Sequence, residues 1–159
     1  MKIDILCVGK IKESYLREGV LEYKKRLSRY CDLNILEMAD EKTPENASDR
    51  ERELILEKEG DRLWGHVAES AYVIALVIEG KQLSSTELSK KLDEIQVMGK
   101  SHIQFVIGGS LGLTDKIQKR ADLKLSFSKM TFPHQLMRMI LLEQIYRSFR
   151  ISRNEPYHK

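Results

Sequence analysis

Three apolar stretches limit the fold of this chain more than any other feature. Residues 71–78 are apolar throughout, and residues 102–107 and 2–8 are nearly so. A strand with one face in water alternates apolar and polar residues, whereas a continuously apolar strand is covered on both faces. Such strands are typical of parallel sheets in α/β proteins. The three stretches therefore predict a mostly parallel sheet with helices on both faces.

Helical patterns and start signals separate these strands. Ser48 and Ser84 are each followed three residues later by Glu, the form of a capping box. A short helix is predicted near Thr114, and a final helix from His134 to Ile151. The first helix is marked by apolar positions spaced four, three, four and three residues apart, namely Leu16, Val20, Tyr23, Leu27 and Tyr30.

Two further strands complete the alternation, at residues 33–38 and 123–127. Strands that alternate with helices along the whole chain predict an α/β fold with a mostly parallel sheet. Residues 40–49 are polar and contain Pro44, which predicts a loop. The sequence shows no convincing linker, and we expect residues 1–159 to form a single domain.

Several classes of protein are disfavoured by the sequence. The longest apolar run is too short to span a bilayer, and no export signal is evident. Cys7 and Cys31 are isolated thiols, which suits a reducing cytoplasm better than a disulfide framework. The four histidines are scattered, so no metal site is predicted. The segment GGSLGLTDK matches neither GxxxxGK[ST] nor GxGxxG, which disfavours a P-loop or a conventional dinucleotide site.

The charge is unevenly distributed along the chain. Residues 40–70 carry 5 basic and 10 acidic side chains, whereas residues 124–159 carry 7 basic and 2 acidic ones. The basic C-terminal segment is compatible with a polyanionic partner, but solvated helix faces are often equally basic.

Three segments are candidates for a ligand site because they leave predicted strands at the same edge. They are residues 78–80, 108–112 and 126–133. Ligands of open α/β sheets bind beyond the carboxyl ends of the strands. Gly108 and Gly109 would let the backbone approach a ligand closely, or they make only a tight turn.

The final helix carries apolar residues around most of its circumference. A helix that is apolar on all sides is buried on all sides. In a chain of 159 residues, we expect a partner subunit to cover the face that does not pack on the sheet, most simply in a two-fold dimer. Burial within one larger core is the alternative. Arg138, Glu143, Arg147 and Arg150 interrupt the apolar surface, and they pair across an interface or face an anionic substrate.

Four long motifs lie in the C-terminal half of the chain, namely FVIGGS-x-G (residues 105–112), SFSKMTFPHQ (126–135), EQ-x-YR (143–147) and NEPYHK (154–159). Together they resemble the ribosomal RNA large subunit methyltransferase H family, a group of bacterial SPOUT-class enzymes. The opening MKI and VGK fit the family as well, and the resemblance covers essentially the whole chain.

The resemblance implies a specific fold and reaction. The C-terminal part would form a deep trefoil knot, and the enzyme would be a homodimer. It would transfer a methyl group from S-adenosyl-L-methionine to N3 of a pseudouridine in 23S rRNA of the assembled ribosome. The resemblance also places the cofactor against one set of positions: Leu76, Gly108, Phe127, Ser128, Lys129, Met130, Thr131 and Phe132.

The same resemblance implies catalytic and RNA-binding residues. The proton on the acceptor nitrogen must leave, so a base or a group that stabilises the anion is required. His158, Tyr157 and His134 are the candidates. His158 and Tyr157 are favoured, because the resemblance places them together at the active site, reached across the dimer interface. The alternative for His134 is that it only begins the final helix. We expect RNA contacts from Arg147, Arg153 and Lys159. Two alternatives remain at this point: a non-catalytic ribosome-associated RNA-binding protein, and a SPOUT methyltransferase that acts on tRNA.

Overall fold

The computed structural model describes residues 1–159 and contains five strands that alternate with five helices. In chain order, these elements are β1 (Lys2–Val8), α1 (Ser14–Leu27), β2 (Asp32–Met38), α2 (Asp49–Trp64), β3 (Tyr72–Gln82), α3 (Ser85–Val97), β4 (His102–Ile107), α4 (Asp115–Arg120), β5 (Leu123–Ser126) and α5 (His134–Ser152).

The strands form one sheet in the order β2-β1-β4-β3-β5, and every pair is parallel. This confirms the α/β class and the mostly parallel sheet predicted from the apolar strands. Because all strands run the same way, their carboxyl ends lie along one edge. The ends of β4, β3 and β5 are neighbours there, so the three candidate segments meet.

The sheet separates two apolar layers, as the continuously apolar strands require. On one face Ile5 and Phe105 pack with residues of α1, α3 and α5. On the other face Leu6 and Val106 pack with Leu63 of α2 and with α4. Alternate residues of one strand therefore serve different layers, which explains why these strands lack a regular polar face; the polar residues Asp4 and Gln104 are buried and hydrogen-bonded to each other.

The helix start signals are confirmed in detail. At the start of α2, the Ser48 side chain accepts a hydrogen bond from the Glu51 amide, and the Glu51 side chain accepts one from the Ser48 amide. Ser84 and Glu87 form the same capping box at the start of α3. Thr114 caps α4 through its side-chain oxygen, which accepts a hydrogen bond from the Ile117 amide. These side chains satisfy backbone donors that have no partner within the helix.

Strand β3 differs from the prediction because it continues to Gln82. Leu125 of β5 pairs with Leu76 and again with Lys81, so residues 77–80 stand out of the ladder as a bulge. The apolar pattern ends at Ile78, and pairing beyond it depends on backbone contacts that the pattern does not reveal. Gly80 makes this close approach possible: a Cβ atom there would lie 2.7 Å from the carbonyl carbon of Lys124.

Helix α5 is covered largely within the chain, by the sheet, α1 and α3. Its contact with α1 is close at Gly19, where a Cβ atom would lie 2.5 Å from the Met139 sulfur. Leu136, Met139 and Ile140 are only half-buried. The alternative of one larger core thus accounts for most of the apolar surface of α5, and the dimer stays a prediction.

The charged residues of α5 pair within the chain. Arg138 is 1% exposed, and its guanidinium donates to Glu37 at 2.8 Å and to the carbonyls of Val8 and Gly9 at 2.7 and 2.6 Å. Arg147 pairs with Glu143, and Arg150 with Glu155, as separate ion pairs. Each interruption of the apolar surface therefore has a partner in its own chain.

None of the helices is both long enough and apolar enough to cross a membrane.

Replacing Gly80 with Ala is expected to lower the free energy of unfolding by about 1–3 kcal/mol, because a methyl group would overpack against the β5 backbone. Gly65→Ala is the matched control: Gly65 has helical dihedral angles and no neighbour closer than 3.6 Å to an added Cβ. That change is expected to be neutral or stabilising by up to about 1 kcal/mol. Urea unfolding measures both, and equal effects would contradict the close approach of β3 and β5.

Candidate active site

A cleft of about 430 Å³ lies beyond the carboxyl ends of β3, β4 and β5. Its size falls in the range of pockets that hold small organic ligands. Three wall segments come from the strand ends and one side from the start of α5. The lining residues are Leu76, Val77, Ile78, Glu79, Ile107, Gly108, Gly109, Ser110, Leu111, Gly112, Leu113, Gln118, Leu125, Ser126, Phe127, Ser128, Met130, Thr131, Phe132, His134 and Met137.

The glycine loop after β4 both turns tightly and forms a wall of the cleft. Gly112 has a φ of +85° and donates its amide to the Gly109 carbonyl at 3.1 Å. A Cβ atom at Gly108 would collide with the Gly112 carbonyl. The two interpretations of Gly108 and Gly109, a tight turn and a close approach to a ligand, are therefore compatible, because the tight turn brings their backbone to the cleft.

The buried carboxylate of Glu59 packs against this loop at Gly109. Glu59 of α2 is 4% exposed, and its Oε1 lies 2.9 Å from where a Gly109 Cβ would be. Its Oε2 accepts a hydrogen bond from the Glu41 amide at 3.0 Å, whereas Oε1 has no partner. Burial raises the pKa of Glu59 above its usual value. No sequence signal marks Glu59, because α2 is so rich in charges that one buried carboxylate does not stand out.

The loop after β5 presents apolar side chains to the cleft. The Ser128 hydroxyl accepts a hydrogen bond from the Met130 amide at 3.0 Å, and the Ser126 hydroxyl donates to the Ser128 carbonyl at 3.0 Å. This turn leaves Met130 74% exposed, and across the cleft Ile78 is 45% exposed. Apolar side chains exposed together in a concave site mark a binding surface for an apolar group.

Most residues that the resemblance assigned to the cofactor line this cleft. Lys129 is the exception, because it is exposed and does not line the wall. The bulge residues Val77, Ile78 and Glu79 also line the cleft, and no sequence signal marked them because the bulge depends on pairing with β5. The predicted cofactor residues in the wall are Leu76, Gly108, Phe127, Ser128, Met130, Thr131 and Phe132.

His134 joins the cleft at the first residue of α5. Burial, and then the nearby Arg138 guanidinium, lower the pKa of its imidazole below the usual value. The ring is therefore neutral at pH 7 and keeps one nitrogen as an acceptor.

Tyr157 and His158 belong to a different cluster, which we call the C-terminal arm (residues 153–159). The Tyr157 hydroxyl donates to Glu143 at 3.1 Å, and its ring packs edge-on against Tyr146 with centroids 5.0 Å apart. Burial, followed by the Glu143 carboxylate, raises the pKa of Tyr157 to about 12. In this arrangement Tyr157 is a hydrogen-bond donor and a poor proton acceptor at neutral pH.

His158 is engaged through one of its two ring nitrogens. Its Nδ1 lies 3.1 Å from Nη1 of Arg147, which also pairs with Glu143. A guanidinium can only donate, so Nδ1 must accept. The neutral ring then carries its proton on Nε2 and presents a donor to the outside.

The cleft and the C-terminal arm lie at opposite ends of α5. From His134 to Arg147 the helix rises about 20 Å, at about 1.5 Å per residue. No residue of the arm lines the cleft. One chain therefore brings His134, but neither Tyr157 nor His158, to the candidate cofactor residues.

The remaining predicted RNA-binding residues lie on the arm and are exposed. The guanidinium carbon of Arg153 lies 4.7 Å from the centre of the Tyr30 ring, and Lys159 ends the arm. Arg147 is less free, because Glu143 and the ring of Tyr157 hold it.

A family model described as a predicted SPOUT methyltransferase matches residues 1–158. Ribosomal RNA large subunit methyltransferase H of Bifidobacterium adolescentis is 61% identical over 100% of both chains, and that of Bifidobacterium animalis subsp. lactis is 58% identical over 100% of both. The chain belongs to the ribosomal RNA large subunit methyltransferase H family within the SPOUT class.

Solved structures are similar in fold at low sequence identity. A probable methylase family protein from Haemophilus influenzae gives a TM-score of 0.55 at 12% identity, covering 99% of this chain and 70% of that one. A putative methyltransferase from Legionella pneumophila, solved with bound cofactor SAM, gives 0.50 at 12% identity, covering 94% and 66%. These matches support the fold alone.

The high pKa of Tyr157 can be checked by following tyrosinate absorbance against pH, with Tyr157→Phe subtracted to isolate this side chain. The difference is expected to titrate near pH 12. Glu143→Gln removes the neighbouring negative charge and is expected to lower that midpoint. A midpoint at the ordinary tyrosine value in the unmodified protein would show that the arm does not pack on α5 in solution.

Proposed function

We propose that this protein transfers a methyl group from S-adenosyl-L-methionine to N3 of a pseudouridine in 23S rRNA of the assembled ribosome. The observation that carries the proposal is the cleft, where the residues matching the family's cofactor positions gather at three adjacent strand ends. The full-length relatives are named as ribosomal RNA large subunit methyltransferases, and this supports rRNA as the substrate class.

The chemistry of the cleft fits such a cofactor. Ile78, Met130 and Phe132 offer apolar surface for an adenine ring, and the glycine loop offers backbone donors and acceptors for the polar edges. The bound cofactor supplies a methyl group already activated on a sulfonium sulfur. The chain itself must hold the acceptor nitrogen in line with that methyl group and exclude water.

The chain must also dispose of the proton on N3 of the target base. His134 lines the cleft with a neutral ring, so it can accept a proton or orient the base. The only Tyr157 proton is already donated to Glu143, whereas Nε2 of His158 is left as a donor, and a donor stabilises negative charge that develops on the base. We therefore propose that the arm stabilises the deprotonated base and that His134 is the better candidate for proton acceptor.

We propose further that the complete site forms only in a homodimer. The arm lies about 20 Å from the cleft of its own chain, by the rise of α5. A two-fold partner that covers Leu136, Met139 and Ile140, which are half-buried on α5, would place one chain's arm beside the other's cleft. Arg147, Arg153 and Lys159 would then face RNA beside the target base.

Other parts of the proposal follow from family membership. We propose that the C-terminal part is knotted, as membership of the SPOUT class implies. Residues 1–159 would act as one domain in the cytoplasm, where assembled ribosomes are found.

The shared site can be tested with a mixed dimer. The first variant, Ile78→Glu with Met130→Glu, puts charge into the cleft at exposed positions. The second lacks Pro156 to Lys159. Purified with two different tags, the heterodimer is expected to keep about half of the wild-type activity, because one of its two sites has an intact cleft and an intact arm.

Each variant's homodimer is the control and is expected to be inactive, with cofactor binding lost in the first and kept in the second. An inactive heterodimer would mean that each chain uses its own arm. A deletion variant that no longer dimerises would mean that the arm is structural.

The substrate is tested by methyl incorporation into whole ribosomes, free 23S rRNA and tRNA. We expect labelling of ribosomes alone, because the basic surface is modest for an enzyme that must recognise naked RNA. Equal labelling of free 23S rRNA would contradict ribosome dependence, and labelling of tRNA would point to a different substrate. If calorimetry detects no binding of S-adenosyl-L-methionine, the proposed methyltransferase activity is contradicted.

A further inference from the structure

A second set of cations lies at the end of α1, beside the C-terminal arm. Lys24, Lys25 and Arg29 are exposed, and none of them has a carboxylate within ion-pair distance. Arg153 of the arm is likewise exposed and unpaired. The guanidinium carbons of Arg29 and Arg153 lie 5.8 and 4.7 Å from the centre of one ring, that of Tyr30. Two chain segments distant in sequence thus form one basic surface.

The neighbouring arginines differ because each is already bound to a carboxylate. Arg26 pairs with Glu22 at 3.0 Å and Arg150 with Glu155 at 2.9 Å, while Arg147 pairs with Glu143. A paired guanidinium must give up its partner before it can bind a phosphate. The free cations Lys24, Lys25, Arg29 and Arg153 carry no such cost.

From this contrast we infer that Lys24, Lys25, Arg29 and Arg153 form a phosphate-binding surface for the RNA strand that flanks the target base. The inference rests on the proposed function. It assigns RNA contacts to residues at the end of α1, a helix for which the sequence predicted none. The rings below the cations support it. Tyr30 stacks on Phe149 with centroids 5.4 Å apart, and the stack holds two guanidinium groups in place before RNA arrives.

The surface is built for the backbone of RNA and not for its bases. Tyr30 is only 7% exposed, so its ring cannot stack on an unpaired base. Exposed lysines and arginines without a pocket bind phosphate oxygens and carry no sequence information. This surface therefore supplies affinity, while the choice of nucleotide is left to the site at the cleft.

Lys24 and Lys25 lie in the last turn of α1, where cations also stabilise the helix terminus. A structural role of this kind affects the free energy of unfolding, but it does not change the salt dependence of RNA binding. The two roles are therefore separable by measurement.

The test compares two triple variants that lose the same charge. Lys24→Gln, Lys25→Gln and Arg29→Gln remove part of the surface, whereas Lys2→Gln, Arg52→Gln and Lys90→Gln remove exposed cations elsewhere. Binding to whole ribosomes is measured directly across a salt series, with KM and kcat measured for methyl transfer. The α1 variant is expected to raise KM about tenfold with kcat unchanged, and to reduce the slope of log K against log salt by about 2.

The control variant is expected to match the wild type. Equal effects of both variants, or an unchanged slope in the α1 variant, would overturn the inference. So would loss of the dimer in the α1 variant, since the surface would then be a subunit interface. The direct binding assay keeps the two proposals distinguishable: a wild-type protein that binds whole ribosomes through α1 without methylating them refutes the proposed function alone.

Discussion

The buried Arg138 fixes the part of the molecule on which the cleft depends. Its guanidinium joins the start of α5 to Glu37 and to the carbonyls that end β1. Burying a charge is costly unless it is paired and hydrogen-bonded, and these acceptors meet most of that requirement. Because α5 begins one turn earlier, the same contacts set where His134 and Met137 meet the cleft and help to keep the imidazole neutral.

The sequence predicts the layers of this fold well because apolar patterning and capping chemistry are local. Continuous apolar strands required two covered faces, and Ser48 and Ser84 marked their helices correctly. The bulge of β3 could not be predicted, since it depends on Leu125 pairing twice. The ion pair of Arg138 could not be predicted either, because it also depends on a contact distant in sequence: its carboxylate partner, Glu37, lies 101 positions away in the chain.

The candidate site likewise has one part that the sequence predicts and one part that it does not. The resemblance placed most cofactor positions in one cleft because contiguous motifs leave adjacent parallel strands. It could not give the state of the arm, where hydrogen bonds decide the chemistry. Glu143 accepts from both Arg147 and Tyr157, so a residue named only as an interruption of α5 determines whether Tyr157 donates or accepts. Motifs locate reactive groups, but their protonation depends on neighbours.

The separation of cleft and arm along α5 makes the proposed activity subject to mass action. Each chain carries a whole cleft, so under the proposed function cofactor binding would not require a second chain. A site completed by a partner's arm exists only in the associated fraction, and that fraction falls as the protein is diluted below the dissociation constant of the dimer. The length of one helix would thus make turnover, but not ligand affinity, a function of the protein's own concentration.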